Sequence, residues 1–133
     1  MNVKNFLLAG IAGGITDFLL GWILYGMVFY QYFGSMEPNL VYIFLGCLSF
    51  GFLMSYIFVR FANLVTLLSG LKAGATIGLL IGLMNNFFMN SEAGKVVVYE
   101  KFAVDVLIGM VIGAGVGAVV AAVNGALSRT VTK

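Results

Sequence analysis

Hydrophobic residues dominate four long stretches of this chain, and short connections separate them. The stretches cover residues 6–33, 40–61, 71–89 and 102–127. Each is close to or above the ~20 residues that an α-helix needs to cross the hydrocarbon core of a membrane. The stretches lack the alternation of β-barrel strands, and backbone groups in lipid must bond within the structure, so we predict four transmembrane helices. The apolar run 63–69 is compatible with an extension of either the second or the third helix.

The composition sets the class of protein. The chain has 133 residues, of which 62% are hydrophobic and 9% are charged, whereas soluble domains are about 25% charged. A soluble fold of this length cannot bury that much apolar surface. We therefore predict an all-α, polytopic membrane protein, formed by a single domain over residues 1–133 whose four helices make a compact bundle in the lipid bilayer.

The basic residues are distributed unequally between the two sides of the predicted helices. One side carries five of them and the other side carries two. Because basic residues near helix ends are retained in the cytoplasm, this bias predicts that both termini are cytoplasmic. The five are Lys4, Arg60, Lys72, Arg129 and Lys133, and the two are Lys95 and Lys101.

Three of the four stretches carry a series of mostly small residues at every fourth position. Positions four apart share one face of an α-helix, and small residues on such a face let membrane helices approach closely. We therefore predict that the glycines pack the helices together as a glycine zipper, in particular Gly13, Gly21, Gly74, Gly78, Gly82, Gly109, Gly113 and Gly117. The full series are Gly13, Asp17, Gly21 and Tyr25; then Gly70, Gly74, Gly78, Gly82 and Asn86; then Asp105, Gly109, Gly113, Gly117, Ala121 and Gly125.

Asp17 is the residue that points most directly to a function. At ~1.5 Å per residue it falls near the middle of the membrane, where a carboxylate costs at least ~2.5–3.5 kcal/mol on insertion scales and is functional by default. The structural alternative is a protonated or hydrogen-bonded aspartate between helices. We predict a proton or cation site at Asp17, with four further candidates at neighbouring levels of the membrane: Tyr25, Asn85, Asn86 and Asp105. Asp105 is close enough to the interface to reach headgroups, and paired amides also serve as interhelical hydrogen-bonding groups.

A short internal similarity relates the first and third helices. Residues 13–21 align with residues 74–82 through their glycines, and Tyr25 then matches Asn86. The two helices run the same way across the membrane, so the similarity suggests a parallel repeat of two helical hairpins. Repeats of this kind occur in transporters, although they do not imply transport.

Several classes of function are disfavoured by what the chain lacks. It contains no histidine and a single cysteine, Cys47, so zinc sites, disulfides and redox pairs are not expected. No phosphate-binding loop or nucleophile–base pair appears in the connections, and we expect neither an enzyme nor a cofactor nor a metal site. A net charge of +2, without a basic aromatic patch, does not indicate nucleic-acid binding.

The segment Gly21-Trp-Ile-Leu-Tyr25, followed by Phe29 and Tyr30, resembles the first helix of a bacterial family of small four-helix membrane proteins of unknown function. In that family a Gly-x-x-Trp-Tyr motif precedes an aromatic stretch, and the third and fourth helices are glycine-rich. Here Leu24 stands in place of the tryptophan, and the family's later Phe-Gly-Lys element is not evident. The resemblance implies a multi-pass protein of the bacterial cytoplasmic (inner) membrane and no known activity. Small multidrug-resistance exporters also carry one acid in the first helix, but it is a glutamate, and their other motifs are missing here.

Two hypotheses of function follow. The packing signals favour a structural or accessory membrane protein that forms a homo-oligomer or binds a membrane-protein partner. The alternative is an oligomeric small transporter or channel in which the intramembrane Asp17 binds a proton or a cation.

Overall fold

A computed structural model of the protein describes residues 2–34 and 37–131. Every regular element within these ranges is helical. Helix α1 continues into a π-helical turn, π1, and then into the short helix α2, while α3 ends in a second π-helical turn, π2. The elements are α1 (Val3–Ile23), π1 (Leu24–Val28), α2 (Tyr30–Phe33), α3 (Leu40–Tyr56), π2 (Ile57–Ala62), α4 (Leu67–Met89) and α5 (Tyr99–Val131).

Four helices of the described chain are long and apolar enough to cross a membrane, which confirms the predicted all-helical, multi-pass class. They cover Val3–Val28, Leu40–Ala62, Leu67–Met89 and Tyr99–Thr130. Among the starts of the four spans, the predicted position differs most for α4, which begins at Leu67 and not at residue 71. The reason is local: Asn63 ends π2 in a left-handed conformation with φ 45°, and the Thr66 side chain caps α4 by accepting from the Ser69 amide.

Helix α5 is the central helix of the bundle. Half of the residues in its most apolar segment are buried inside the described chain, whereas the other three spans bury 17–22% of theirs. Within the described chain α5 packs against α4 and α1, α3 packs mainly against α1, and α4 packs extensively only against α5. The spans therefore follow the spatial order α3, α1, α5, α4, and α4 stands apart from α1 and α3.

Helices α4 and α5 meet backbone to backbone along a line of glycines that we call the glycine seam. A Cβ atom at Gly74 would clash with the Gly113 carbonyl oxygen and would lie 2.9 Å from the Gly117 Cα atom. A Cβ atom at Gly78 would likewise clash with the Gly109 carbonyl and lie 2.9 Å from the Gly113 Cα atom. Dispersion contacts at such short range replace the hydrophobic effect, which does not drive association in lipid.

A buried amide network joins the first and last helices at one end of the bundle. The Asn5 side-chain amide donates to Asn124 Oδ1 at 3.1 Å and to Ser128 Oγ at 3.3 Å, and the Asn124 amide donates to the Leu64 carbonyl at 3.0 Å. Both asparagines are buried. We call these four groups the terminal cluster. They lie at the end of the bundle where α1 begins and α5 ends, which we call the terminal end. The opposite end of the bundle is the distal end.

Candidate functional site

Three polar side chains from three helical elements meet towards the distal end, and we call them the distal cluster. The Tyr25 hydroxyl donates to Asp105 Oδ1 at 2.6 Å. The Asn86 side-chain amide donates to Asp105 Oδ2 at 2.5 Å and to the Gly82 carbonyl of its own helix at 3.0 Å. Each carboxylate oxygen of Asp105 thus accepts a hydrogen bond, one from π1 and one from α4.

The π-helical turn π1 carries Tyr25 to this position. The Phe29 amide bonds to the Leu24 carbonyl five residues back, at 2.8 Å, so the turn is wider than an α-helical turn. Single π-helical turns inside longer helices are frequent at functional sites. The Tyr25 ring packs edge-on against Phe33, with 4.9 Å between the ring centroids. The ring is therefore held between α2 and the carboxylate that it bonds.

Asp17 lies outside the hydrogen-bond network of the distal cluster. Its neighbour is the Cys47 thiol of α3, which is near enough to interact with the carboxyl group. A thiol is a weak donor and offers only one hydrogen. Asp17 is therefore less well satisfied than Asp105, and most of its lone pairs remain available.

Asp17 and Asp105 line the same groove, in the space that separates α4 from α1 and α3. The groove has a volume of about 270 Å³ and is partly open. Its polar lining consists of Asp17, Tyr25, Asn85 and Asp105, and its apolar lining consists of Phe50, Gly78, Ile81, Gly82, Gly109 and Ile112. Among the described residues the lining contains two acidic side chains and no basic one, so none of these side chains supplies a compensating positive charge.

The chemistry of this lining suits a proton or a small hard cation. Carboxylate, amide and phenol oxygens are ligands for hard cations, and the low dielectric of the surroundings strengthens the attraction between a carboxylate and a cation. Within residues 2–34 and 37–131 there is no group of three histidine, cysteine, aspartate or glutamate side chains that could hold a metal ion. The groove thus presents two separate carboxyl groups, Asp17 and Asp105.

The structure brings the five predicted site residues into one region. Asp17, Tyr25, Asn85 and Asp105 line the groove, and Asn86 is buried behind it against Asp105.

The predicted packing glycines have unequal surroundings. Gly74, Gly78, Gly113 and Gly117 form the glycine seam, and Gly82 and Gly109 extend it towards the distal end, where Gly82 faces Val106. Gly13 faces Gly51 of α3 and two valines of α5. A Cβ atom at Gly21 would meet no described atom of another helix within 4 Å, so a packing role for Gly21 stays a prediction.

Sequence reasoning missed two features of this region. Cys47 was considered only for disulfide and redox chemistry, and nothing in the local pattern indicates that its thiol faces Asp17. The terminal cluster was also missed, although an asparagine such as Asn124 within an apolar run is itself a signal of interhelical hydrogen bonding. Its partner Asn5 lies 119 residues away in the chain, so the pairing has no sequence signature.

Comparison of the chain with protein-family profiles, with curated proteins and with solved structures finds no significant match. The resemblance to the bacterial four-helix family therefore stays a prediction.

Proposed function

We propose that this protein is a small transporter or channel subunit that binds a proton or a small cation in the groove that separates α4 from α1 and α3. In this proposal it lies in the bacterial cytoplasmic membrane with both termini in the cytoplasm, as the distribution of basic residues predicts. The observation that carries the proposal is the position of Asp17. It lines an open groove together with a second carboxylate, and it does not bond to Tyr25 or Asn86 in a dry interhelical contact.

The two carboxylates have different roles in this proposal. Asp105 accepts one hydrogen bond on each oxygen, so both of its oxygens are already engaged. These two hydrogen bonds hold the Asp105 side chain in place at the side of the groove. Asp17, which has only the thiol as a donor, is the group whose oxygens are free to take up and release the proton or cation.

An Asp17→Asn variant tests this proposal, since it keeps the size of the side chain and removes its charge. In proteoliposomes we expect proton or cation flux to fall to the level of empty vesicles, while the elution volume and thermal stability in detergent stay unchanged. Ser49→Ala is the matched control on the neighbouring helix, because the Ser49 hydroxyl bonds only to the Leu45 carbonyl of its own helix. Wild-type flux that persists in Asp17→Asn for every ion tested would overturn the proposal.

A structural or accessory role is the second candidate, and the open glycines favour it. The glycines of the seam are used within the chain, but Gly21 of α1 and Gly46 of α3 have no described neighbour within 4 Å of an added Cβ atom. These two sites are small-residue surfaces that a partner helix or a second copy can approach. Wild-type vesicles without flux above background, together with an oligomer whose mass falls in Gly46→Leu, would establish this role in place of transport.

A further inference from the structure

Asn85 carries a primary amide on the open side of the groove and has no hydrogen-bond partner within the described chain. Its side chain is exposed and lines the groove. The neighbouring Asn86 bonds to Asp105, and Asn124 bonds to the Leu64 carbonyl. Lipid tails offer no partner for an amide, and an unpaired polar group in hydrocarbon is costly. The amide of Asn85 therefore calls for a partner outside this chain.

The groove that displays this donor also displays an acceptor. Asp17 lines it with lone pairs that the Cys47 thiol leaves unused. A surface that carries both a donor and a matching acceptor is complementary to itself, which is the requirement for an isologous interface between two copies. A two-fold axis along the membrane normal keeps both copies in the same orientation and brings groups of equal depth together.

We propose that a second copy of this chain covers the groove, and that Asn85 of each subunit enters the groove of the other to bond Asp17. The amide suits both forms of the acid, because its N–H group donates to the carboxylate and its oxygen accepts from the protonated carboxyl group. The ion site is then completed by both subunits. This inference uses the groove of the proposed function, but the dimer does not depend on transport.

Exchange of the two contacts between subunits gives a specific test. The variants Asn85→Leu and Asp17→Leu each lose both contacts as homodimers. A mixed dimer of the two variants keeps one contact, from Asn85 of the Asp17→Leu subunit to Asp17 of the Asn85→Leu subunit. Association is measured by fluorescence energy transfer between C-terminal labels in liposomes, over a series of protein-to-lipid ratios. The four samples are the wild type, each single variant and the mixture of the two variants.

We expect the mixture of the two variants to associate roughly fivefold more tightly than either variant alone, and more weakly than the wild type, as intramembrane hydrogen bonds of ordinary strength imply. Thr76→Val is the matched control on the exposed face of α4, because the Thr76 hydroxyl bonds to the Lys72 carbonyl of the same helix. It should leave association unchanged. Thermal unfolding of each variant checks that the subunits themselves stay folded.

Three results would overturn the dimer. The first is a wild type that stays monomeric at every protein-to-lipid ratio. The second is association that is unchanged in Asn85→Leu, which would mean that water or headgroups satisfy the amide. The third is a mixture that associates no better than the single variants. None of these results affects the Asp17→Asn flux experiment, so failure of the dimer is distinguishable from failure of the ion site.

Discussion

Two polar clusters join the first span to α5, one towards each end of the bundle. They differ in whether they contain an acidic group and in whether they border an open groove. The terminal cluster consists of neutral groups, with Asn5 and Asn124 buried. The distal cluster contains the carboxylate of Asp105, bonded by Tyr25 and Asn86, and it borders the open groove. Each cluster also contacts a third element, which is the connection before α4 at the terminal end and α4 itself at the distal end.

The comparison shows how polar groups in a membrane separate into structural and functional ones. Two amides and a hydroxyl can satisfy one another, since each amide offers both donors and an acceptor. A carboxyl group that accepts two hydrogen bonds still has further lone pairs, which can accept a proton or contact a cation. We therefore assign the terminal cluster to stability and the distal cluster, with Asp17 beside it, to the proposed ion site.

The largest effect on stability is expected from Asn124→Leu. This change removes the acceptor of Asn5 and the donor to the Leu64 carbonyl, and it leaves both of those groups short of a partner. The loss in the free energy of unfolding should be about 1–3 kcal/mol, as measured by denaturant titration in detergent, with flux per folded molecule unchanged. Ser128→Ala is the control, since Asn5 then keeps its bond to Asn124. Loss of flux in folded Asn124→Leu protein would contradict a purely structural terminal cluster.

A smaller loss of stability, but a change in flux, is expected from Tyr25→Phe. The change removes only the hydroxyl that bonds Asp105 at 2.6 Å, and intramembrane hydrogen bonds average about 0.6 kcal/mol with a maximum near 1.7 kcal/mol. Asp105 then has one donor instead of two, so the cation dependence of the flux should shift. Normal flux together with a stability loss as large as that of Asn124→Leu would reverse the roles that we assign to the two clusters.

The smallest effect is expected from Tyr32→Phe, beyond the distal end of the first span. The Tyr32 hydroxyl donates to the Glu100 carboxylate, and this hydrogen bond raises the pKa of Tyr32 above its ordinary value of 10.0. Because the pKa of Tyr32 is raised in the folded state, the hydrogen bond contributes to stability below pH ~10. This contribution is lost as the pH rises through the folded-state pKa. At neutral pH the melting temperature should fall only slightly, because exposed interactions contribute little.

The pH series sharpens the same comparison. The small difference between the wild type and Tyr32→Phe should disappear once the phenol ionises above pH ~10. If the difference in melting temperature grows with pH, Glu100 does not stabilise the neutral Tyr32 phenol through a hydrogen bond. A large loss of stability at neutral pH would place a third structural cluster at the distal end.

The predictions from sequence were accurate where they depended on neighbours along the chain. The four spans follow from hydrophobic runs. The start of α4 moved by four residues because the Thr66 cap acts within one helical turn. The sequence also singled out Asp17, because a carboxylate inside an apolar run is detectable without a partner. It did not show that Cys47 faces Asp17, or that Gly21 lacks a neighbouring helix, since both depend on which helices meet.

The amino-acid sequence by itself determined the membrane class, the four helices and the presence of carboxylates within them, because transfer into lipid depends on composition and local periodicity. Only the tertiary structure decided how each carboxylate is satisfied. Asp105 meets Tyr25 and Asn86, whereas Asp17 faces the groove because α4 packs extensively on α5 alone. The different surroundings of the two carboxyl groups depend on side-chain volumes where helices distant in the chain meet. The periodicity of a single helix contains no information about such contacts.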